Sequence, residues 1–103
     1  MWNKRFAASC LAIWTTALVG CASPAYLTSD SAIAAAEFAI EAAEDEEAGR
    51  HASTALEGAR TKLVEAQKAR DAREPSRAIR LAEEATVDAQ LAEALALKAQ
   101  AQE

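Results

Sequence analysis

The sequence contains little proline, glycine or histidine and few aromatic residues. It has two prolines, three glycines, one histidine, two tryptophans, two phenylalanines and one tyrosine. This scarcity disfavours β-sheet and leaves few positions for sharp turns. After residue 21 the only aromatic residues are Tyr26 and Phe38, so a core there must be built from smaller side chains. We therefore expect an all-α protein.

Alanine and charged residues are abundant instead. The chain has 103 residues, a net charge of −5 and a pI near 4.9, and its length allows one small domain. Alanine inflates the hydrophobic fraction of 51%. Six lysines and arginines lie between Lys62 and Arg80. The overall negative charge nevertheless argues against a nucleic-acid partner, and we expect this basic segment to meet an acidic helix or an anionic surface.

The first 20 residues have the features of a bacterial signal peptide. Lys4 and Arg5 precede an apolar stretch, Phe6 to Val19, that contains no charged residue. Its 14 residues are too few to span a bilayer, which takes about 20. We therefore predict a signal peptide over residues 1–20 that is removed from the mature protein.

The stretch Leu18-Val19-Gly20-Cys21 resembles the lipobox of bacterial lipoproteins. The resemblance implies cleavage between Gly20 and Cys21 and attachment of acyl chains, palmitate among them, to Cys21. A thiol is needed because it is nucleophilic enough to form the thioether, and two or three acyl chains hold a protein firmly in membrane lipid. Ala22 after the cysteine implies the outer membrane of a Gram-negative cell, with the protein facing the periplasm.

We predict a short tether over residues 21–29 and a helical domain over residues 30–103. Apolar residues in this domain recur at three- and four-residue steps, which is the spacing of an amphipathic helix. The predicted helices span about 31–47, 54–73 and 75–102. Together they form an antiparallel helical hairpin or three-helix bundle of long, alanine-rich helices.

Helix boundaries are indicated by capping residues and by one proline. Ser29 or Asp30 can cap the first helix. Thr54 and Glu57 have the spacing of a capping box, so we expect the second helix to begin at Thr54. Pro75 begins the third helix, because proline suits a first turn and disfavours helix at the residue before it.

The third predicted helix has alanine at alternating steps of four and three residues. This is a heptad repeat, and its methyl groups let a neighbouring helix approach closely. Leu81 and Leu95 flank the alanine seam on one shoulder, with Ile79 and Leu97 on the other. The seam consists of Ala78, Ala82, Ala85, Ala89, Ala92, Ala96 and Ala99.

Charges follow an acidic, basic, acidic order along the helical domain. Residues 30–47 carry seven acids and no base, residues 50–80 carry eight bases and four acids, and residues 83–103 carry five acids and one base. An antiparallel middle helix would place opposite charges along its contacts with the other two. Each exposed pair contributes only about 0–1 kcal/mol, but the set disfavours wrong pairings.

No residue pattern predicts a catalytic site, a metal site or a cofactor. His51 lies in the predicted loop, and no serine or cysteine at matching spacing converges on it, so we expect a solvent-facing side chain. The acidic run Glu44–Glu47 lacks the alternating ligands and turn glycine of a calcium loop. We expect a protein that is not an enzyme.

The predicted core is too thin to make the monomer very stable. Large apolar side chains after Cys21 are few, and their burial offsets little of the conformational entropy lost on folding. We therefore expect self-association or binding to another protein. Phe38 lies well off the apolar stripe of its helix, and Leu91 and Leu97 lie outside the alanine seam, so these three are the candidate contact residues.

The segments "GRHASTALEGARTKLVEAQKA" and "PSRAIRLAEEATVDAQLAEA" resemble the bacterial lipoprotein family called domain of unknown function 4398. The resemblance covers about residues 21–101. It implies an alanine-rich helical domain behind a lipobox, without an established activity. Relatives are often linked with OmpA-like proteins, which makes an OmpA-like envelope protein a candidate partner. Where relatives have an aromatic residue and a proline before the second helix, this chain has His51 and Ser53.

Three functional classes fit these observations. The first is a non-enzymatic envelope lipoprotein that serves as a structural or protein-interaction scaffold. The second is a peptide-binding module of the tetratricopeptide type, suggested by residues 76–85, although no period near 34 residues recurs. The third is a Braun-type tether between membrane and peptidoglycan. Such a tether requires a C-terminal lysine, and this sequence has Glu103 at that position.

Overall fold

A computed structural model of the protein describes residues 28–103, and these residues form four helices. The predicted all-α fold is confirmed. The predicted signal peptide, Cys21 and most of the tether lie outside the described residues. Within residues 28–103 no helix combines the length and apolar character needed to cross a membrane. The helices are α1 (Ser29–Asp45), α2 (Ala48–His51), α3 (Ser53–Asp71) and α4 (Pro75–Ala101).

Helix α1 begins with a capping box formed by Thr28 and Ser31. The Thr28 hydroxyl accepts a hydrogen bond from the Ser31 backbone N–H at 3.1 Å, and the Ser31 hydroxyl accepts one from the Thr28 backbone N–H at 3.0 Å. Each side chain thus satisfies a free backbone donor of the first turn. The cap residues expected from the sequence were Ser29 and Asp30. Both lie inside the first turn instead.

The prediction that Thr54 and Glu57 cap the second long helix is wrong. Helix α3 begins at Ser53 after Ala52, and no side chain caps it. The short helix α2 runs almost directly into α3, and the Ala52 N–H is already bonded to the Ala48 carbonyl at 2.7 Å. Glu57 instead accepts a hydrogen bond from the Arg60 guanidinium, at 2.6 Å.

Helices α1 and α4 run parallel, and α3 runs antiparallel to both. This order follows from two clusters of buried residues. One cluster joins Ile33 of α1 to Ala82 of α4, and the other joins Ile40 to Ala89, so both helices advance in the same direction. Helix α3 contributes Leu56 to the second cluster and Ala69 to the first.

The alanine seam of α4 is confirmed as the centre of the core. Six of its seven predicted alanines are buried, and Ala99 is half-buried near the end of the helix. Both clusters consist mainly of alanine, with Leu56 the largest side chain that is almost completely buried. Methyl groups at the contact allow the helix axes to lie close together. The predicted helical bundle therefore has a thin core with little large apolar surface inside it.

The predicted charge complementarity between helices is also confirmed. Arg60 of α3 donates to Glu44 of α1 with an Nε–Oε1 distance of 3.1 Å, and Arg70 lies 3.4 Å from Asp30 of α1. Lys62 of α3 contacts Asp88 of α4 at 2.7 Å. The basic middle helix thus faces acidic side chains on both neighbours. These pairs favour the observed order of helices over alternatives.

Candidate interaction surface

The three candidate contact residues are all exposed, but they do not form one patch. Phe38 lies on α1, whereas Leu91 and Leu97 lie on α4. Leu97 lies six positions after Leu91 in the helix, which turns their side chains about 120° apart. The predicted lipid site, Cys21 with the cleavage position at Gly20, lies outside the described residues. Whether Phe38, Leu91 and Leu97 contact a partner remains a prediction.

Leu91 belongs instead to a row of exposed apolar residues along α4. Val87, Leu91 and Leu95 follow one another at four-residue steps, which places them on one face of the helix. Their exposed fractions are 62%, 51% and 41%. We call these three residues the α4 ridge. Val87 was not among the predicted contact residues, and Leu95 was predicted only to flank the seam, although the four-residue spacing is visible in the sequence.

Two shallow cavities lie on either side of Val87. A cavity of about 270 Å³ opens toward α3, and its lining includes Lys62, Arg80 and Asp88. A cavity of about 280 Å³ opens toward α1, and its lining includes Ala32 and Thr86. Val87 lines both cavities. The start of the α4 ridge therefore offers an apolar side chain with open space on each side.

The cavity toward α3 is bordered by the contact between Lys62 and Asp88. The Lys62 ammonium donates to Asp88 Oδ2 at 2.7 Å, and this hydrogen bond raises the pKa of Lys62 above its ordinary value. Gly58 lies beside the same carboxylate, because a Cβ at this position would be 3.4 Å from Asp88 Oδ2. The ion pair therefore lies against the backbone of α3, next to the α4 ridge.

Charged residues continue the face of α4 that carries the ridge. Glu84 and Lys98 lie seven residues before and after Leu91, a spacing that returns to nearly the same side of a helix. Glu84 accepts a long hydrogen bond from Arg80 at 3.5 Å. Lys98 forms no ion pair with any of residues 28–103. This face therefore has an acid at one end, an unpaired base at the other and leucine between them.

His51 does not face solvent as the sequence analysis expected. It ends the short helix α2, and its side chain is only 11% exposed. Its Nε2 atom is buried without a hydrogen-bond partner, 3.8 Å from Glu47 Oε2 and 3.7 Å from Glu103 Oε1. The prediction is wrong because the segment before α3 is a packed helical turn that meets the end of α4, where Gln100 donates to the Glu46 carbonyl at 2.7 Å.

The acidic run at the end of α1 is engaged in contacts with other helices. Glu44 binds Arg60, and the Glu46 carbonyl binds Gln100. Glu47 adopts a left-handed backbone with φ of 58° and immediately precedes α2. Among residues 28–103, no three His, Cys, Asp or Glu side chains are grouped so that they could hold a metal ion.

These features define a small helical domain that has an alanine core and an exposed apolar ridge on its longest helix. The model of the family "Domain of unknown function (DUF4398)" matches residues 31–103, and the chain belongs to this family. The family resemblance seen in the sequence is thereby confirmed. No curated protein and no solved structure matches the chain.

Proposed function

We propose that the protein is a non-enzymatic scaffold of the cell envelope, anchored by lipid in the outer membrane and facing the periplasm. The α4 ridge is the observation that carries this proposal. Three large apolar side chains stand exposed along one helix face, on a domain whose buried side chains within residues 28–103 are all apolar. Contiguous exposed apolar surface of this kind is typical of an interaction site.

The lipobox-like sequence supports the membrane anchor. Cys21 lies seven residues before the cap residue Thr28, a distance of at most about 25 Å for an extended chain. An acylated Cys21 would hold the helical domain close to the lipid surface. A partner reached through the α4 ridge would then be another component at that surface, and an OmpA-like envelope protein is one candidate.

The anchor is tested by comparing the two cysteines of the chain in a Gram-negative host. We expect mass spectrometry of the mature protein to find an N-terminal, acylated Cys21, and membrane fractionation to recover the protein with the outer membrane. Cys21→Ala should abolish acylation and leave unprocessed chain. Cys10→Ala is the matched control, since Cys10 lies within the predicted signal peptide, and it should change neither result. A mature protein with an unmodified Cys21 would contradict the proposed anchor.

The scaffold role is tested by affinity purification from crosslinked membranes. We expect Leu91→Glu to lose the protein partners recovered with the wild type, because a charge in the middle of the ridge opposes apolar contact. Val64→Glu is the control, since Val64 is similarly exposed on α3, at 47% against 51% for Leu91. Equal loss in both variants would contradict a role for the ridge. Recovery of bare peptidoglycan with no protein would favour the tether class instead.

A further inference from the structure

The face of α4 that carries the ridge is self-complementary about Leu91. Val87 and Leu95 lie four residues before and after Leu91, and Glu84 and Lys98 lie seven residues before and after it. Reversing the direction of the helix about Leu91 therefore exchanges one apolar residue for another and an acid for a base. A surface with this property fits a second copy of itself related by a two-fold axis.

We propose that two copies of the protein pair through antiparallel α4 helices, with the two-fold axis beside Leu91. In this arrangement the two Leu91 side chains meet at the centre. Val87 of each copy packs against Leu95 of the other. The outer contacts are two symmetric ion pairs, each between Glu84 of one copy and Lys98 of the other.

The cavities beside Val87 support this packing. Leu95 of the second copy would lie opposite Val87, where open space of about 270 and 280 Å³ flanks the valine side chain. The cavity toward α1 is the one suited to a leucine, because Ala32 and Ala35 line it together with Val87. Apart from Val87, the cavity toward α3 is lined by charged residues. Burial of the exposed part of Val87, Leu91 and Leu95 in both copies supplies the apolar driving force.

Charge distinguishes antiparallel from parallel pairing. Lys98 is the only base among residues 83–103 and forms no ion pair with residues 28–103. Parallel pairing would set Lys98 against Lys98 and Glu84 against Glu84, and like charges in contact destabilise an interface. Antiparallel pairing gives each Lys98 an acidic partner. The charges thus specify both the second copy as occupant and its direction.

This inference identifies a partner for the α4 ridge and so rests on the scaffold part of the proposed function, but not on the lipid anchor. An unmodified Cys21 would overturn the anchor and leave the pairing untouched. Absence of pairing, together with ridge-dependent capture of another envelope protein, would overturn the pairing and leave the scaffold role intact.

Disulfide crosslinking of the full chain in isolated membranes tests contact at the axis. We expect Leu91→Cys to form a covalent dimer on mild oxidation, because the two-fold axis places the two thiols side by side. Val64→Cys, on the outer side of α3 with similar exposure, is the matched control and should stay monomeric. The parent chain, oxidised in parallel, measures any background from Cys10 or Cys21. Dimer yields equal to those of Val64→Cys would overturn the proposal.

Mixed crosslinking tests the direction of pairing. Glu84→Cys and Lys98→Cys, carrying different tags and produced in the same cells, should form a mixed dimer. Each variant alone should crosslink poorly, because antiparallel pairing separates two copies of either position by about 21 Å along the helix. Efficient crosslinking of Glu84→Cys with itself would show parallel pairing and overturn the proposed arrangement.

A charge swap tests the ion pairs without cysteine. In detergent-solubilised full chain, Glu84→Lys should weaken dimerisation by roughly tenfold, since two symmetric pairs become repulsive. Adding Lys98→Glu to the same chain should recover most of the lost dimer affinity. Restoration cannot arise within one chain, because the two positions lie about 21 Å apart on a rigid helix. Failure of the double variant to recover, measured by sedimentation at several concentrations, would overturn the pairing register.

Discussion

The two halves of α4 share one alanine seam but use their leucines differently. Leu81 and Leu95 lie fourteen residues apart, in the same heptad position on the same shoulder of the seam. Leu81 is 7% exposed, whereas Leu95 is 41% exposed. In the half near Pro75, α4 contributes Leu81 to the core beside Ile33. In the distal half it contributes alanine to the core, and the large buried side chains come from the other helices.

This difference shows that a heptad pattern fixes the spacing of helices without fixing which large side chains are buried. In the distal half, Ile40 of α1 and Leu56 of α3 fill the space over the alanine seam. Leu95, on the shoulder of α4, is only partly buried there. Leu91 and Leu95 are therefore free to contact something outside the domain, and the interaction surface lies where the internal core is supplied by other helices.

The sharpest test of the comparison removes the two equivalent leucines. Leu81→Ala should lower the free energy of unfolding by about 3 kcal/mol, through lost burial and the cavity left behind. Leu95→Ala should lower it by less than about 1 kcal/mol, because its side chain is already partly in solvent. Urea denaturation followed by far-UV circular dichroism, at a protein concentration low enough to avoid dimers, gives both values. Equal losses would contradict the difference between the halves.

Enlarging the seam should affect both halves alike. Ala82 and Ala96 are fully buried and occupy the same heptad position in the two halves. Replacing either with leucine should cost about 2 kcal/mol, because the added side chain forces neighbouring helices apart. The same denaturation experiment measures both variants. If Ala96→Leu were tolerated while Ala82→Leu was not, the close approach of helices would be confined to the half near Pro75.

Removing the cap of α1 should have a moderate effect. Thr28 caps the end of α1 that lies beside the first half of α4. Thr28→Ala should cost about 1 kcal/mol, because the Ser31 N–H loses its acceptor. Thr54→Ala is the control, since Thr54 was the cap predicted from sequence and is exposed without that role. A larger loss of stability for Thr54→Ala than for Thr28→Ala would contradict the structure and support the capping box predicted at Thr54.

The smallest expected effect concerns the ion pair where the two halves of α4 meet. Hydrogen bonding to Asp88 raises the pKa of Lys62. The stabilising contribution of this ion pair is therefore present below the ordinary pKa of lysine and is lost as pH rises through the raised pKa of Lys62. Lys62→Met should lower the urea midpoint at neutral pH by less than Leu81→Ala, Ala82→Leu or Thr28→Ala does. It should not change the midpoint in strong alkali. Lys98→Met, which removes a lysine without an ion-pair partner among residues 28–103, should leave the midpoint of the monomer unchanged at both pH values.

The sequence was sufficient to predict the parts of the fold that depend on periodicity and charge. The alanine seam, the helical class and the complementary charges of the middle helix are all repeating features, and repetition is visible in one chain. The position of Leu91 outside the seam was likewise predictable. The full ridge was not recognised, because the burial of Leu81 and the exposure of Leu95 differ although their heptad positions are the same.

The connection between α1 and α3 could not be predicted from local patterns. Thr54 and Glu57 have the spacing of a capping box, yet α3 already begins at Ser53, so Thr54 has a helical backbone and is not the N-cap. His51 is enclosed because the helical turn before α3 meets the end of α4, a contact between residues about 50 positions apart in sequence. Such long-range contacts overrode the local signals for a loop.

The parallel orientation of α1 and α4 has a mechanical consequence. Residues 28–103 traverse the length of the bundle three times, an odd number, so Thr28 and Glu103 stand at opposite ends of it. The 27 residues of α4 correspond to about 40 Å of rise. A reporter fused after Glu103 would therefore lie about that distance from whatever holds the start of α1. The bundle would keep these two attachment points apart at a fixed distance.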